Sequence, residues 1–120
     1  MKLATRKAEG DAREAQARAF LIRAGLRFCA ANVRYRHGEL DLVMEHDEAL
    51  VFIEVRYREP HDFGGAAASV TLRKQGRIAR AAASFLADHP HWANRPCRFD
   101  VVAIDGARID WIRDAFRLDT

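Results

Sequence analysis

Two acidic residues stand inside apolar segments of the chain, where a charged side chain needs a physical reason. Asp41 lies in residues 38–43 (GELDLV), and Glu54 lies in residues 51–58 (VFIEVRYR). Two carboxylates that face each other repel unless a cation or a shared proton lies between them. Mg²⁺ suits such a pair, because it binds through one or two carboxylates, retains waters and completes its shell with phosphate oxygens. The pair therefore favours a Mg²⁺ or Mn²⁺ site that acts on a phosphodiester.

The two segments are predicted to be neighbouring strands of a β-hairpin. A two-residue turn at 47–48 and a four-residue loop at 46–49 give the same register, in which Asp41 lies opposite Glu54. One face of this hairpin is wholly apolar and is expected to pack on the core, and it comprises Leu40, Leu42, Met44, Val51, Ile53 and Val55. The opposite face begins with the apolar pair Val43 and Phe52. It continues as a polar patch of four residues: Glu39, Asp41, Glu54 and Arg56.

The same polar patch also has an ordinary structural interpretation. The guanidinium of Arg56 can neutralise both carboxylates, which would make the patch a cross-strand ion cluster on a solvated sheet face. The hairpin by itself does not separate this interpretation from a metal site, so both stay open at this point.

The composition sets the broad class of the protein. A chain of 120 residues with 49% hydrophobic and 31% charged residues fits a single domain over residues 1–120. A formal net charge of +3 permits a nucleic-acid partner without requiring one. The N-terminus has no apolar run typical of a signal peptide, and no segment approaches the roughly 20 apolar residues of a membrane span, so a cytoplasmic location and no membrane partner are expected. Cys29 and Cys97 lack the spacing of a metal site and are expected to be reduced thiols.

Apolar periodicity and turn residues predict the elements in the first half of the chain. A helix is predicted from Asp11 to about Ala24, ending at Gly25. Its buried face is expected to comprise Ala12, Ala15, Ala19, Ile22 and Leu26. Residues 27–35 are predicted to be a strand that leads into the hairpin.

The second half of the chain is predicted to contain one more helix and one more hairpin. Ser69 or Thr71 can cap a helix that runs to about Ala87, with Ile78, Ala82, Phe85 and Leu86 on its inner face. Residues 98–112 follow as two strands joined by an Asp105-Gly106 turn. The predicted order is therefore α-β-β-β-α-β-β.

Six short motifs, taken in order, resemble those of the YraN family of small bacterial proteins. They are Glu14 in the first helix, GELDLV at 38–43, VFIEVRYR at 51–58, FGG at 63–65, RKQ at 73–75 and RFDVV at 98–102. This family is similar to Holliday-junction resolvases and to the restriction-endonuclease-like PD-(D/E)-x-K superfamily. The resemblance covers nearly the whole chain and implies an α/β fold, with a restriction-endonuclease-like core in which helices flank a mixed central β-sheet.

The resemblance also implies where the chemistry would be. In that superfamily, an Asp on the second strand and a Glu on the third strand hold Mg²⁺, and a Glu of the first helix assists; Asp41, Glu54 and Glu14 match these positions. A lysine normally stands two residues after the strand Glu, where this chain has Arg56. Guanidinium does not lose its proton in proteins, so Arg56 cannot be a general base, although it can stabilise negative charge on the phosphate. For Glu14, a surface ion pair with Arg18 is an equal alternative.

Further contacts to nucleic acid are predicted around the patch. Arg58, Arg73, Lys74 and Gln75 are expected to bind the phosphate backbone, and Glu39 is an additional site residue. Lys74 shares a helix stripe with residues that point inward, so it can lean toward the patch, and a solvent-facing lysine is the alternative.

These observations favour a metal-dependent endonuclease. Its expected substrate is DNA rather than RNA, branched substrates included, and a homodimer is expected only by analogy with resolvases. One alternative is a catalytically silent DNA- or RNA-binding module that kept the fold after losing the lysine. Another is a protein-interaction domain whose polar patch is only an ion cluster.

Overall fold

The chain folds as a five-stranded sheet with a helix on each face, over residues 2–57 and 70–117, the parts that the computed structural model describes, with side chains from residue 10 onward. The helices are α1 (Lys2–Arg23) and α2 (Leu72–Asp88). The strands are β1 (Arg27–Tyr35), β2 (Gly38–His46), β3 (Ala49–Tyr57), β4 (Cys97–Asp105) and β5 (Arg108–Phe116), with a short 3-10 helix at Pro90–Trp92. The predicted α/β class and the order α-β-β-β-α-β-β are confirmed.

The strands lie in the sheet in the order in which they occur along the chain. β1, β2 and β3 are antiparallel neighbours, β3 and β4 are parallel, and β4 and β5 are antiparallel. A parallel pair requires a long crossover connection, and here the crossover contains α2. The mixed sheet implied by the resemblance is confirmed, and the crossover places α2 over the end of the β2–β3 hairpin that carries the acids.

Each face of the sheet has its own hydrophobic core. On one face, Ile78, Ala81, Ala82 and Phe85 of α2 pack with residues of β2, β3 and β4 that include Leu40, Val43, Phe52 and Val101. On the other face, Ala17 and Leu21 of α1 pack with Leu42, Met44, Val51, Ile53 and Val102. Burial on both faces fixes the position of both helices, because each covers apolar strand residues that would otherwise be in water.

The helix α1 begins at Lys2 rather than at the predicted Asp11, and Leu26 alone of its predicted inner residues is buried. Ala17 and Leu21 are fully buried, whereas Ile22 is 49% exposed, and the expected inner residues Ala12, Ala15 and Ala19 are exposed. Alanine is a weak guide, because it is small and occurs on both faces of helices. The predicted end is confirmed: Gly25 has a φ of +103°, and the N–H of Leu26 donates to the carbonyl of Leu21 at 3.0 Å, as in a glycine-terminated helix.

The second helix is close to the prediction. Thr71, rather than Ser69, is its N-cap, and Ser69 lies outside the described residues. Ile78, Ala82 and Phe85 are buried as predicted. Leu86 is only partly buried, whereas Ala81, which was not predicted, is buried on the inner face.

Both hairpins form, and one turn differs from its prediction. Residues 47–48 are the predicted two-residue turn of the first hairpin, with Asp47 at a φ of +56°. In the second hairpin, Asp105 pairs with Arg108, so the turn is Gly106-Ala107 rather than Asp105-Gly106. The one-residue difference places Gly106, at a φ of +58°, first in the turn, where a left-handed residue is required.

Two observations concern the expectations drawn from composition. Both Cys29 and Cys97 are free thiols. No helix within the described ranges is long and apolar enough to cross a membrane.

Candidate functional site

The regular pairing of β2 with β3 stops where the polar patch begins. The predicted register runs from His46 opposite Ala49 to Leu42 opposite Ile53. Beyond that point the Asp41 carboxylate accepts a hydrogen bond from the backbone N–H of Val55, with an Oδ2–N distance of 2.9 Å. A side chain thus takes the hydrogen bond that a strand carbonyl would otherwise accept.

This interruption changes the side chains that share a face. Leu40 packs in the core under α2 together with Val43, whereas Leu42 packs under α1. The prediction that Leu40 and Leu42 share one apolar face is therefore wrong. The alternation of faces is lost at Asp41, because its carboxylate, and not its main chain, bonds to β3.

Asp41 and Glu54 form a carboxyl pair whose charges interact, in which Glu54 is buried and Asp41 is partly buried. Burial, and then the neighbouring charge of Glu54, raise the pKa of Asp41 to about 7, although the N–H of Val55 acts in the opposite direction. Glu54 is only 6% exposed. At neutral pH such a pair holds either a proton or a cation between its oxygens, as expected for opposed carboxylates.

Two cationic side chains contact one oxygen of this pair. Lys74 Nζ lies 2.8 Å from Glu54 Oε2, and Arg56 Nη1 lies 3.6 Å from the same oxygen. The Lys74 side chain is 43% exposed, so it spans from the buried acid to solvent. The structure thus brings Lys74 to the polar patch, and the ion-cluster interpretation correctly described Arg56 as a neighbour of Glu54.

Two local features hold Lys74 in this place. Thr71 caps α2, and its Oγ1 accepts the backbone N–H of Lys74 at 3.2 Å. Gly38, at the start of β2, lies against the backbone of α2, since a Cβ atom built on it would be 2.3 Å from the carbonyl oxygen of Arg77. The first turns of α2 therefore lie directly on the strand that carries Asp41.

A cavity of about 840 Å³ opens over the carboxyl pair. Asp41, Glu54 and Glu39 are its acidic residues, and Glu39 Oε1 lies 3.8 Å from Arg34 Nε. Its cationic residues are twice as many and comprise Arg34, Arg36, Arg56, Arg73, Lys74 and Arg77. A cavity with this excess of positive charge concentrates anions.

Glu14 lies on the other side of Asp41. A second cavity, of about 290 Å³, is lined by Glu14, Asn32, Asp41 and Val55, among other residues. The side-chain amide of Asn32 donates to Glu14 Oε1 at 3.0 Å, and burial raises the pKa of Glu14. Arg18, the alternative partner of Glu14, lies over the Phe28 ring at 4.4 Å. Asp41 therefore borders two cavities, with Glu54 in one and Glu14 in the other.

Two predicted contacts are not brought to the cavity. The Gln75 amide donates to the carbonyl of Val70 at 3.0 Å, and Gln75 does not line the cavity. Arg58 lies outside the described residues, as does the FGG motif at 63–65. Arg73, in contrast, lines the cavity.

The carboxyl pair fits an open metal site rather than a closed one. Among residues 10–57 and 70–117, whose side chains the structure describes, no group of three or more His, Cys, Asp or Glu could enclose a metal ion. A structural zinc site needs four protein ligands, so that chemistry does not fit. Mg²⁺ needs only one or two carboxylates when water and substrate phosphates complete its shell, and Asp41 and Glu54 meet that requirement.

Three cationic residues of the cavity were not predicted, namely Arg34, Arg36 and Arg77. A signal for them exists in retrospect. Arg34 and Arg36 are two residues apart at the end of a strand, and Arg77 follows Arg73 by one helical turn. The two side chains of each pair are therefore expected to lie on the same face of their element. Only the crossover of α2 onto β2 shows that the two pairs meet.

A second buried acid, Asp100, has a structural role. Its carboxylate accepts hydrogen bonds from Arg98 Nε at 2.9 Å, from Arg98 Nη2 at 3.0 Å, from Trp111 Nε1 at 2.9 Å and from the backbone N–H of Asp114 at 2.9 Å. Arg98, two residues earlier on β4, is the charge partner of Asp100. A carboxylate with this many donors has no open position for a ligand, unlike the pair at Asp41 and Glu54.

Comparison with known proteins gives a family without a stated activity. Residues 13–104 match the family described as "Uncharacterised protein family UPF0102". A UPF0102 protein of Xanthomonas campestris pv. campestris is 57% identical over 118 residues, covering 97% of each chain. A UPF0102 protein of Serratia proteamaculans is 53% identical over 116 residues, covering 96% of this chain and 99% of the relative. A UPF0102 protein of Yersinia enterocolitica is 53% identical over 107 residues.

Proposed function

Since the chain belongs to the uncharacterised protein family UPF0102, we propose its function from its own site: a metal-dependent nuclease that hydrolyses phosphodiesters. The family membership confirms the YraN-like resemblance. The observation that carries the proposal is the pair of neighbouring carboxyl groups, Asp41 and Glu54, in a cavity lined by six cationic side chains. The pair provides hard oxygen ligands, and the cations provide contacts for several phosphates. A simple ion cluster would not need the cations that lie beyond Arg56 and Lys74.

In this proposal Asp41 and Glu54 hold the metal ion. A bound Mg²⁺ or Mn²⁺ supplies charge neutralisation at the phosphate and acidifies a coordinated water. Arg56 contacts a phosphate oxygen and stays charged throughout. Glu14 lines the second cavity together with Asp41 and assists the metal site from there, as the resemblance implies.

The arrangement of the cations favours a polynucleotide over a small phosphate ester. Arg73 and Arg77 lie on α2, whereas Arg34 and Arg36 lie at or just after the end of β1. Cations on two walls can contact successive phosphates of one strand, which is how nonspecific nucleic-acid binding is built. DNA, with branched forms included, is the proposed substrate, and homodimerisation and a cytoplasmic location stay predictions.

A cleavage assay tests the activity. Wild type, Asp41→Asn and Glu54→Gln are incubated with single-stranded, duplex and branched DNA in Mg²⁺ or Mn²⁺, and the products are separated on denaturing gels. Wild type is expected to cut at least one substrate, and both variants are expected to lose at least about 100-fold in rate, because each removes a metal ligand. Asp47→Asn is the matched control, since Asp47 is an exposed turn residue where Asn is tolerated. An Asp41→Asn variant that cuts like wild type would sink the proposal.

A specific observation also favours a second function, a catalytically silent nucleic-acid-binding module. The strand position that carries lysine in similar nucleases holds Arg56, while six cationic side chains line the cavity. Such a module would bind DNA in a salt-dependent way without cutting it under any metal condition. Calorimetry separates the two functions further, because only the nuclease requires Mg²⁺ or Mn²⁺ binding that is lost in Asp41→Asn.

A further inference from the structure

Neutralisation of the Glu54 charge does not by itself explain the position of Lys74. The amine lies 2.8 Å from Glu54 Oε2, closer than the guanidinium of Arg56, which already neutralises that oxygen from 3.6 Å. It reaches the acid from α2, whereas Arg56 follows Glu54 on β3 itself. Its backbone is fixed by the Thr71 cap.

The two cations differ in what they can hold. An ammonium group has three N–H donors that point in different directions, whereas a guanidinium presents its donors in one plane. With one donor on Glu54, the Lys74 amine keeps two for other oxygens, and its 43% exposed side chain faces the cavity. It can therefore contact an attacking water and a phosphate oxygen at the same time.

We propose, resting on the nuclease function above, that Lys74 is the catalytic amine of this site, supplied from α2 in place of a lysine on β3. Its N–H groups hold the attacking water and a nonbridging oxygen of the scissile phosphate. The water oxygen forms a bond to phosphorus, and the P–O ester bond opposite to it breaks. A proton of the water passes to solvent, and the leaving oxygen takes a proton from solvent. Lys74 remains an ammonium throughout, and Arg56 binds the phosphate as a clamp.

A charge-preserving exchange tests this role. Cleavage rates are measured for wild type, Lys74→Arg, Arg56→Lys and the double variant Lys74→Arg/Arg56→Lys. Lys74→Arg is expected to lower the cleavage rate about 100-fold. This is the size of effect expected when one hydrogen-bond donor to the charge that develops on the phosphate is lost. The double variant is expected to recover to within about tenfold of wild type, because an amine is restored next to Glu54 from β3.

Binding and folding measurements separate catalysis from structure. Every variant keeps a cation at both positions, so affinity for DNA with Ca²⁺ in place of Mg²⁺ and the thermal unfolding midpoint are expected to change little. A role limited to pairing with Glu54 would be served by either cation and would leave the rate unchanged. Arg80→Lys is the matched control, since Arg80 is exposed on the same helix and does not line the cavity.

Failure of this inference is distinct from failure of the nuclease function. If wild type cuts DNA and Lys74→Arg cuts at the same rate, the role of Lys74 is refuted while the nuclease function stands. If Lys74→Arg is slow and the double variant is no faster, the equivalence of the two positions is refuted. If wild type leaves every substrate intact with Mg²⁺ and Mn²⁺, the nuclease function itself fails, and this inference fails with it.

Discussion

Asp41 is partly buried beside another carboxyl group, and this has a consequence for stability. Its pKa is about 7 in the folded chain and near 3.8 when unperturbed, so the folded chain retains a proton that the unfolded chain releases between those values. The stabilising contribution is complete below about pH 3.8 and is lost as the pH rises toward 7. Asp41→Asn removes this loss, because the amide is neutral at every pH.

The expected result is that metal-free Asp41→Asn is more stable than wild type at pH 8, by roughly 1 to 4 kcal/mol, with the difference shrinking toward pH 4. Thermal unfolding between pH 4 and pH 8 in the presence of a chelator measures it. Addition of Mg²⁺ at pH 8 should stabilise wild type and not the variant. Parallel pH curves for the two proteins would contradict the buried pair.

Replacement of Asp100 is expected to destabilise the protein, in contrast to replacement of Asp41. Its carboxylate is fully buried and accepts four hydrogen bonds, so Asp100→Asn leaves Arg98 without its charge partner and is expected to destabilise the protein by about 3 to 5 kcal/mol. Asp110→Asn is the control, because Asp110 pairs with Arg108 near the surface and should change stability by less than about 1 kcal/mol. Urea denaturation measures both, and equal effects of the two substitutions would refute the structural role of Asp100.

At the scale of elements, the contact of α2 with β2 controls the site. Gly38→Ala would place a Cβ atom 2.3 Å from the carbonyl oxygen of Arg77, and neither backbone can yield without moving the helix. We expect a loss of about 1 to 3 kcal/mol in unfolding free energy and a lower cleavage rate, because Lys74 moves with α2.

Gly10→Ala is the matched control for this substitution. A Cβ atom on Gly10 meets nothing within 4 Å, and alanine favours helix, so the variant should gain about 0.5 to 1 kcal/mol. Denaturant unfolding and cleavage rates of both variants test the prediction. A Gly38→Ala protein with wild-type stability would show that α2 does not rest on this strand.

At the scale of the whole molecule, the cationic residues of the larger cavity predict how DNA binding responds to salt concentration. Arg77→Gln is expected to lower the slope of log affinity against log salt concentration by about 0.9, if Arg77 contacts one phosphate. Arg80→Gln removes the same charge from the exposed side of α2 and should leave the slope nearly unchanged. Fluorescence anisotropy with labelled DNA at several salt concentrations measures both, and equal slopes for the two variants would place the nucleic acid elsewhere.

Local patterns in the sequence by themselves determined the element order and the register of the first hairpin from His46–Ala49 to Leu42–Ile53, and they placed Asp41 near Glu54. These features depend on residues close in the chain, where strand alternation, turn length and capping act directly. The local failures were the inner face of α1, where alanines left the apolar stripe ambiguous, and the turn of the second hairpin, which lies one residue later than predicted.

Only the tertiary structure decided which cations meet the acids. Lys74 contacts Glu54 and Arg77 lines the same cavity because a parallel crossover places α2 on Gly38. Arg34 and Arg36 come from a different strand end. The shift of Leu40 to the other core also depends on a side-chain hydrogen bond, from Val55 to Asp41, that strand alternation does not anticipate. Such contacts join residues distant in sequence, and packing across the whole fold, rather than local periodicity, determines them.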